Sequence, residues 1–85
     1  MAEEKPIGEV THYYNKIGVA VIKMTSGTLK VGQNIHIQGH SSDFVQEVSS
    51  MQIQHDSIKE AKKGDEFGLK VDQPVREDDK VYLVE

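Results

Sequence analysis

Residues 11–16, which read THYYNK, are the stretch of this chain whose side chains are best suited to binding. Aromatic rings stack on exposed nucleic-acid bases and a lysine ammonium neutralises phosphate, so His12, Tyr13 and Lys16 are candidates for contacting single-stranded RNA. The structural alternative is a β-hairpin turning at Asn15-Lys16, with one tyrosine in the core and the other covering its neighbours. Packing is the commoner role of such residues, and the sequence alone keeps both interpretations open.

The histidines raise the question of a metal site. His36 and His40 are four residues apart, but Gly39 between them indicates the end of a strand and not one face of a helix. The chain has no cysteine, and no carboxylate lies at a recognisable ligand spacing. We therefore expect no metal and no other cofactor.

Catalytic chemistry is the weakest interpretation of the remaining polar residues. The acidic run 77–79 precedes a strand, which is typical of a solvated loop, and Lys62-Lys63 is expected to face solvent. Ser41-Ser42 beside His40 is a loop composition, and no serine, histidine and aspartate triad follows from the spacing. We predict that the protein is not an enzyme and works by binding.

Length and charge limit the classes of partner. Eighty-five residues suffice for one domain, and no apolar run approaches the roughly 20 residues of a membrane span. The acidic start of the chain does not resemble a secretory signal, so we expect a cytoplasmic protein with no membrane partner. A net charge of −4 argues against a general nucleic-acid binder. Any contact with tRNA or rRNA would be local and salt-sensitive, and a protein partner is the alternative.

Short apolar runs rich in Val, Ile, Tyr and Phe predict strands. The runs are residues 7–14, 17–24, 34–39, 44–55, 67–71 and 80–84. Strict alternation places Ile35 and Ile37 on one face of their strand, and Val81 and Leu83 on one face of the last. In the second run, residues 20, 22 and 24 form the uncharged face that we assign to the core.

Two segments depart from simple alternation. The apolar positions change parity between Val48 and Met51, which a β-bulge near Ser49-Ser50 would accommodate, so that Val48, Met51 and Ile53 all point inward. Residues 57–60 read SIKE, a capping-box pattern, and predict a single helical turn or a structured loop that ends at Gly64. We expect this segment to carry its apolar residues, Ile58 and Ala61, into the core.

These elements predict an all-β fold, a small closed six-stranded β-barrel formed by residues 1–85, with residues 1–5 disordered. Closure removes the unpaired sheet edges that would otherwise favour aggregation. A barrel of this size fills its interior with side chains, so an internal ligand cavity is not expected.

Two glycine-containing segments carry a resemblance to a known family. Residues 27–37 read GTLKVGQNIHI and residues 60–69 read EAKKGDEFGL. In this order and separation they resemble domain 2 of the translation GTPases, the β-barrel that follows the GTP-binding domain in elongation factor Tu and initiation factor two. The resemblance extends from about Ile7 to Val84, and it implies a barrel of the translation-factor domain 2 type in a stand-alone, translation elongation factor-like protein.

The resemblance does not extend to nucleotide chemistry. The chain contains no G-x-x-x-x-G-K-[ST] loop, and its length leaves no room for a GTP-binding domain. We expect no GTP binding and no GTP hydrolysis.

The resemblance implies a binding surface for RNA. In elongation factor Tu this barrel helps to hold the aminoacylated 3′ end of tRNA, and ribosome-bound factors use it to contact small-subunit RNA. The family's carboxylate near the terminal adenosine corresponds to Gln52, and its amide beside the aminoacyl group corresponds to Glu66, so both positions differ here. The predicted contact surface combines His12, Tyr13 and Lys16 with Gln52 and His55.

The same barrel type also resembles the accessory domain of collagenase-like peptidase family proteins, some of which modify RNA. That likeness implies the alternative function, a protein–protein adaptor that docks on a peptidase-like or RNA-modifying enzyme. Fold similarity does not decide between the two.

Overall fold

The computed structural model describes residues 6–40, 42–54 and 56–84, and within them every regular element is a strand. The expectation of disorder for residues 1–5 lies outside the described residues. The strands are β1 (Pro6–Tyr14), β2 (Val19–Met24), β3 (Thr28–Lys30), β4 (Asn34–Gln38), β5 (Asp43–Glu47), β6 (Met51–Ile53), β7 (Asp56–Ile58), β8 (Glu60–Lys62), β9 (Glu66–Lys70) and β10 (Lys80–Val84).

Eight of these strands form one antiparallel sheet in the order β5-β4-β10-β1-β2-β9-β6-β7, and β3 pairs with β8 in a second, two-stranded sheet. The all-β prediction is confirmed, but the closed six-stranded barrel is not: among the described residues neither sheet closes on itself. The reason is that β3, β6, β7 and β8 have only three residues each, too few to continue one hydrogen-bond ladder around a barrel.

Side-chain hydrogen bonds cross the gap between β5, at one edge of the large sheet, and the end of β9, with which β5 does not pair. The amide of the buried Gln46 on β5 donates from Nε2 to the carbonyl oxygen of Lys70 at 3.0 Å and accepts at Oε1 from the N–H of Asp72 at 2.8 Å. A side-chain amide thus takes the place of a peptide unit and fastens β5 to the segment that follows β9.

Backbone hydrogen bonds attach the small sheet to the large one. The N–H of Gly32 donates to the carbonyl of Val48, whose own N–H donates to Gln33, both at 2.8 Å. On the other side of the same turn, the N–H of Val31 donates to the carbonyl of Lys59 at 3.0 Å. The turn between β3 and β4 therefore joins the end of β5 to the segment between β7 and β8.

The inner faces of the strands form one hydrophobic core. The predicted alternation is confirmed for Ile35 and Ile37 and for the face of β2 that carries Ile22, while Val81 is fully buried and Leu83 partly so. The buried apolar side chains are Val10, Ala20, Ile22, Met24, Leu29, Ile35, Ile37, Phe44, Val48, Met51, Ala61, Phe67, Leu69, Val71, Val75 and Val81.

The two irregular segments differ from their predictions. Val48 and Met51 are both buried, as expected, but the parity change at Ser49-Ser50 separates two strands and is not a bulge within one. The sequence predicts a single helical turn or a structured loop over residues 57–60; the structure instead has two short strands here, β7 (Asp56–Ile58) and β8 (Glu60–Lys62). Pairing of Ser57 with Gln52, and of β8 with β3, stabilises extended backbone more than the local capping pattern stabilises a helix. Ala61 is nevertheless buried.

A cross-strand ion pair joins β1 to β10. The ammonium of Lys80 lies 3.0 Å from the carboxylate of Glu9, and this hydrogen bond raises the pKa of Lys80 above its usual 10.5, with desolvation opposing and the negative charges of Glu9 and Asp78 adding to the effect. Because the pKa is raised in the folded state, the pair stabilises the fold below pH 10.5, and that stabilisation is lost as the pH rises through the folded pKa.

The Glu9→Gln variant should therefore melt at a slightly lower temperature than wild type at pH 8, with the difference shrinking as the pH is raised beyond 10.5. The effect is small, because both side chains are partly exposed. Thermal unfolding followed by circular dichroism between pH 8 and pH 11.5 measures it. A difference that stays constant over this range would assign the effect to packing and not to charge.

Candidate functional site

One row of paired residues crosses the outer face of the large sheet. His12 pairs with Val21, Val21 with Gly68, and Gly68 with Gln52. The residues that alternate with them are buried, such as Ala20 and Met51, or partly buried against the core, such as Tyr13, so the row itself faces away from the core. The structure therefore brings His12 and Gln52 to the same face, three strands apart, a separation on the order of 14 Å.

Tyr13 lies on the opposite face from His12. It pairs with the buried Ala20 and packs against the core, whereas Tyr14 points outward and is 49% exposed. The rings of His12 and Tyr14 are 4.4 Å apart between centroids and tilted by 56°. The aromatic partner of His12 on the surface is thus Tyr14, which the two-residue period of a strand would have identified.

The first concave surface lies at the β1–β2 hairpin. It is an open depression of about 330 Å³ lined by residues 12–17. Lys16 contributes a positive charge, and Ile17 is 63% exposed, an unusual position for a large aliphatic side chain. The turn is held by N–H groups of Ile17 and Gly18 that both donate to the carbonyl of Tyr14.

The second concave surface lies beside Gly68, between β2 and β6. It encloses about 180 Å³ and is lined by Val19, Ser50, Gln52, Gly68 and Lys70. A Cβ at position 68 would lie 3.3 Å from the Val19 Cγ1 atom, so glycine keeps the floor of this depression open. Sequence reasoning identified Gln52 but missed Lys70 and Ser50, because only the pairing of β9 with β6 places them together.

The two depressions share an electrostatic character that the whole chain does not have. Among the residues that the structure describes, their linings include Lys16, Lys70 and His12 but no carboxylate, although the net charge of the chain is −4. Two acids next to this surface lie outside the linings. Glu77 is 3.8 Å from the His12 ring, and Glu66 accepts a hydrogen bond at 3.0 Å from the Thr11 hydroxyl. The surface is thus suited to a partner that carries anionic groups.

The other predicted features are placed as follows. His55, the fifth member of the predicted contact surface, lies outside the described residues. His36 is hydrogen-bonded to Asp43 and its ring lies 6.0 Å from that of Tyr82.

Within residues 6–40, 42–54 and 56–84, no group of three or more histidine, aspartate or glutamate side chains is arranged to hold a metal ion. The same residues contain no helix that is long and apolar enough to cross a membrane.

A family model described as elongation factor Tu domain 2 matches residues 18–78. Among curated proteins, the chain is 44% identical over 79 residues to an uncharacterized protease of Methanocaldococcus jannaschii and 30% identical over 77 residues to a collagenase of Porphyromonas gingivalis. These matches cover 92% and 89% of the chain but only 19% and 21% of the relatives. The chain thus spans about a fifth of the length of the curated relatives it matches.

Solved structures agree with these matches at the level of the fold. Two crystal structures of the C-terminal domain of a putative U32 peptidase of Geobacillus thermoleovorans superpose with TM-scores of 0.85 and 0.87 at 16% identity. The matches cover 92% and 96% of this chain, and 98% and 93% of those chains. The expectation of a stand-alone elongation factor-like protein is corrected, because the curated relatives are named as a protease and a collagenase and not as translation factors.

Proposed function

Because this chain belongs to the elongation factor Tu domain 2 family, we propose that it is a non-catalytic docking domain of the kind carried by U32 peptidase-type proteins. The observation that carries the proposal is the match to the Methanocaldococcus jannaschii protease, in which 92% of this chain corresponds to 19% of the relative. In such a protein the small β-domain binds and positions a partner, and the larger remainder of the protein carries out the reaction.

The outer face around Gly68, together with the depression at the β1–β2 hairpin, is the surface we assign to docking. Val19 and Gly68 form an apolar floor, and Lys70 and Lys16 supply positive charge where no acid of the described part of the chain lines either depression. Such a local electrostatic field mainly raises the rate of association and determines which partner binds. We infer that the partner surface is acidic and belongs to the peptidase-like or RNA-modifying enzyme on which this domain docks.

Titration calorimetry of this chain against a U32 peptidase-type protein of the same organism, truncated to remove any segment matching this chain, tests the proposal. We expect binding that weakens about tenfold for Lys70→Glu, because a charge reversal places two acids opposite each other. The matched control is Lys63→Glu, an exposed lysine outside both depressions. No binding by wild type, or equal losses for both variants, would contradict this docking surface.

Contact with RNA is the second candidate function, favoured by the tilted ring pair of His12 and Tyr14 beside Lys16. Aromatic rings next to a basic side chain are the usual platform for single-stranded bases. The same binding assay run with tRNA at 20 mM and 150 mM salt distinguishes the candidates. Binding that Tyr14→Ala removes, with no affinity for the truncated protein, would replace protein docking by RNA contact.

A further inference from the structure

The second half of β1 has an unpaired edge. β10 pairs with β1 only between Pro6 and Glu9, and Val10 then exchanges two backbone hydrogen bonds of 2.8 Å with Asp78 and Asp79. Beyond that point, Thr11 lies in a register shift and residues 12–14 pair with β2 on one side, and no described strand pairs with residues 11–14 on the other. This edge offers backbone donors and acceptors to any extended segment that approaches it.

Opposite charges lie at the two ends of this edge. Glu77 and Asp78 are exposed beside its beginning, where Asp78 bonds to Val10 and Glu77 lies 3.8 Å from His12. The exposed Lys16 lies beyond its other end, in the hairpin turn. An antiparallel strand that carries a basic residue near its own C-terminal end would match this arrangement.

We propose that the occupant of the edge is a second copy of the same edge, paired antiparallel about a two-fold axis at Tyr13. Val10 precedes Tyr13 by three residues and Lys16 follows it by three. Two-fold pairing therefore brings Lys16 of one copy next to Glu77 and Asp78 of the other, in the segment that already pairs with Val10. Because the interface is isologous, this complementary contact forms twice.

The same register covers exposed aromatic surface. Tyr14 of one copy lies opposite His12 of the other, so that two tilted ring pairs meet on the outer face. An edge of about four residues buries little area, and interfaces of this size belong to the weak, transient class. We expect a dimer with a dissociation constant on the order of 100 μM, weakened by salt.

Charge reversal gives a test with an internal rescue. Lys16→Glu and Glu77→Lys each place like charges at both contacts, so each variant alone should dimerise at least about tenfold more weakly than wild type. Mixed in equal amounts, the two variants restore both contacts and should form a heterodimer. Sedimentation velocity from 10 μM to 2 mM at low salt measures the wild type, each variant and the mixture.

Lys63→Glu and Glu47→Lys are the matched controls, because they change the net charge equally and lie away from the edge. They should leave dimerisation unchanged. Wild type that sediments as a monomer at 2 mM, variants that do not associate on mixing, or controls that weaken the dimer equally would each overturn the proposal. Native-like far-UV circular dichroism of each variant establishes that a monomer is a folded one.

Discussion

The Gly39→Ala variant is expected to lose about 3 kcal/mol of unfolding free energy, a large fraction of the stability of a domain this small. A Cβ at this position would lie 1.8 Å from the Asp79 Oδ1 atom, 2.4 Å from its Cγ and 3.2 Å from its Cα. Two of these separations are well inside van der Waals contact. One of the two residues must therefore move, and neither is free to do so.

Asp79 is held in place by hydrogen bonds on several of its atoms. It is 3% exposed, its Oδ2 accepts from the N–H of Arg76 at 2.9 Å, and its carbonyl accepts from the N–H of Val10 at 2.8 Å. Gly39 is likewise fixed, because its N–H donates to the carbonyl of Ser42 at 2.7 Å. Relief of the overlap would break at least one of these bonds.

Urea unfolding followed by circular dichroism measures the loss, with Gly64→Ala as the control. Gly64 has a φ of +94° and nothing within 4 Å of its Cβ position, so that variant carries backbone strain without overlap and should lose only about 1 kcal/mol. The double variant Gly39→Ala, Asp79→Ala should lose less than the sum of its single variants. Additive losses would show that the carboxylate is not the obstacle.

The Gln46→Leu variant is expected to lose about 2–3 kcal/mol, because two backbone groups lose their partners at once. Leucine fills a similar volume but offers nothing to the carbonyl of Lys70 or the N–H of Asp72, which the amide now satisfies. These are the side-chain bonds that fasten β5 to the segment after β9. The midpoint of thermal unfolding should fall by roughly 10–20 °C for a domain of this length.

Gln38→Leu is the matched control for this variant. Gln38 lies on the neighbouring strand β4, and its side chain is exposed. It should change stability by no more than about 0.5 kcal/mol. Equal losses at positions 38 and 46 would mean that glutamine-to-leucine replacement destabilises the sheet generally, and that the bridge across the gap contributes nothing.

The candidate surface was only partly predictable from the sequence. Residues 11–16 were identified from their composition, and the period of two along β1 separates His12 and Tyr14 from Tyr13 without any coordinates. Lys70 and Ser50 carry no comparable signal. They join Gln52 only through the ladder from β2 through β9 to β6, which connects residues far apart in the chain.

The sequence by itself determined the all-β class and the inward faces of β2 and β4. Both depend on local features, the residue types that favour strands and the alternation of apolar and polar residues. The tertiary structure alone decided that Glu60–Lys62 is a strand, that the sheet stays open, and that Gln46 bridges the gap. Those outcomes depend on pairing energies between distant segments, which a local pattern does not contain.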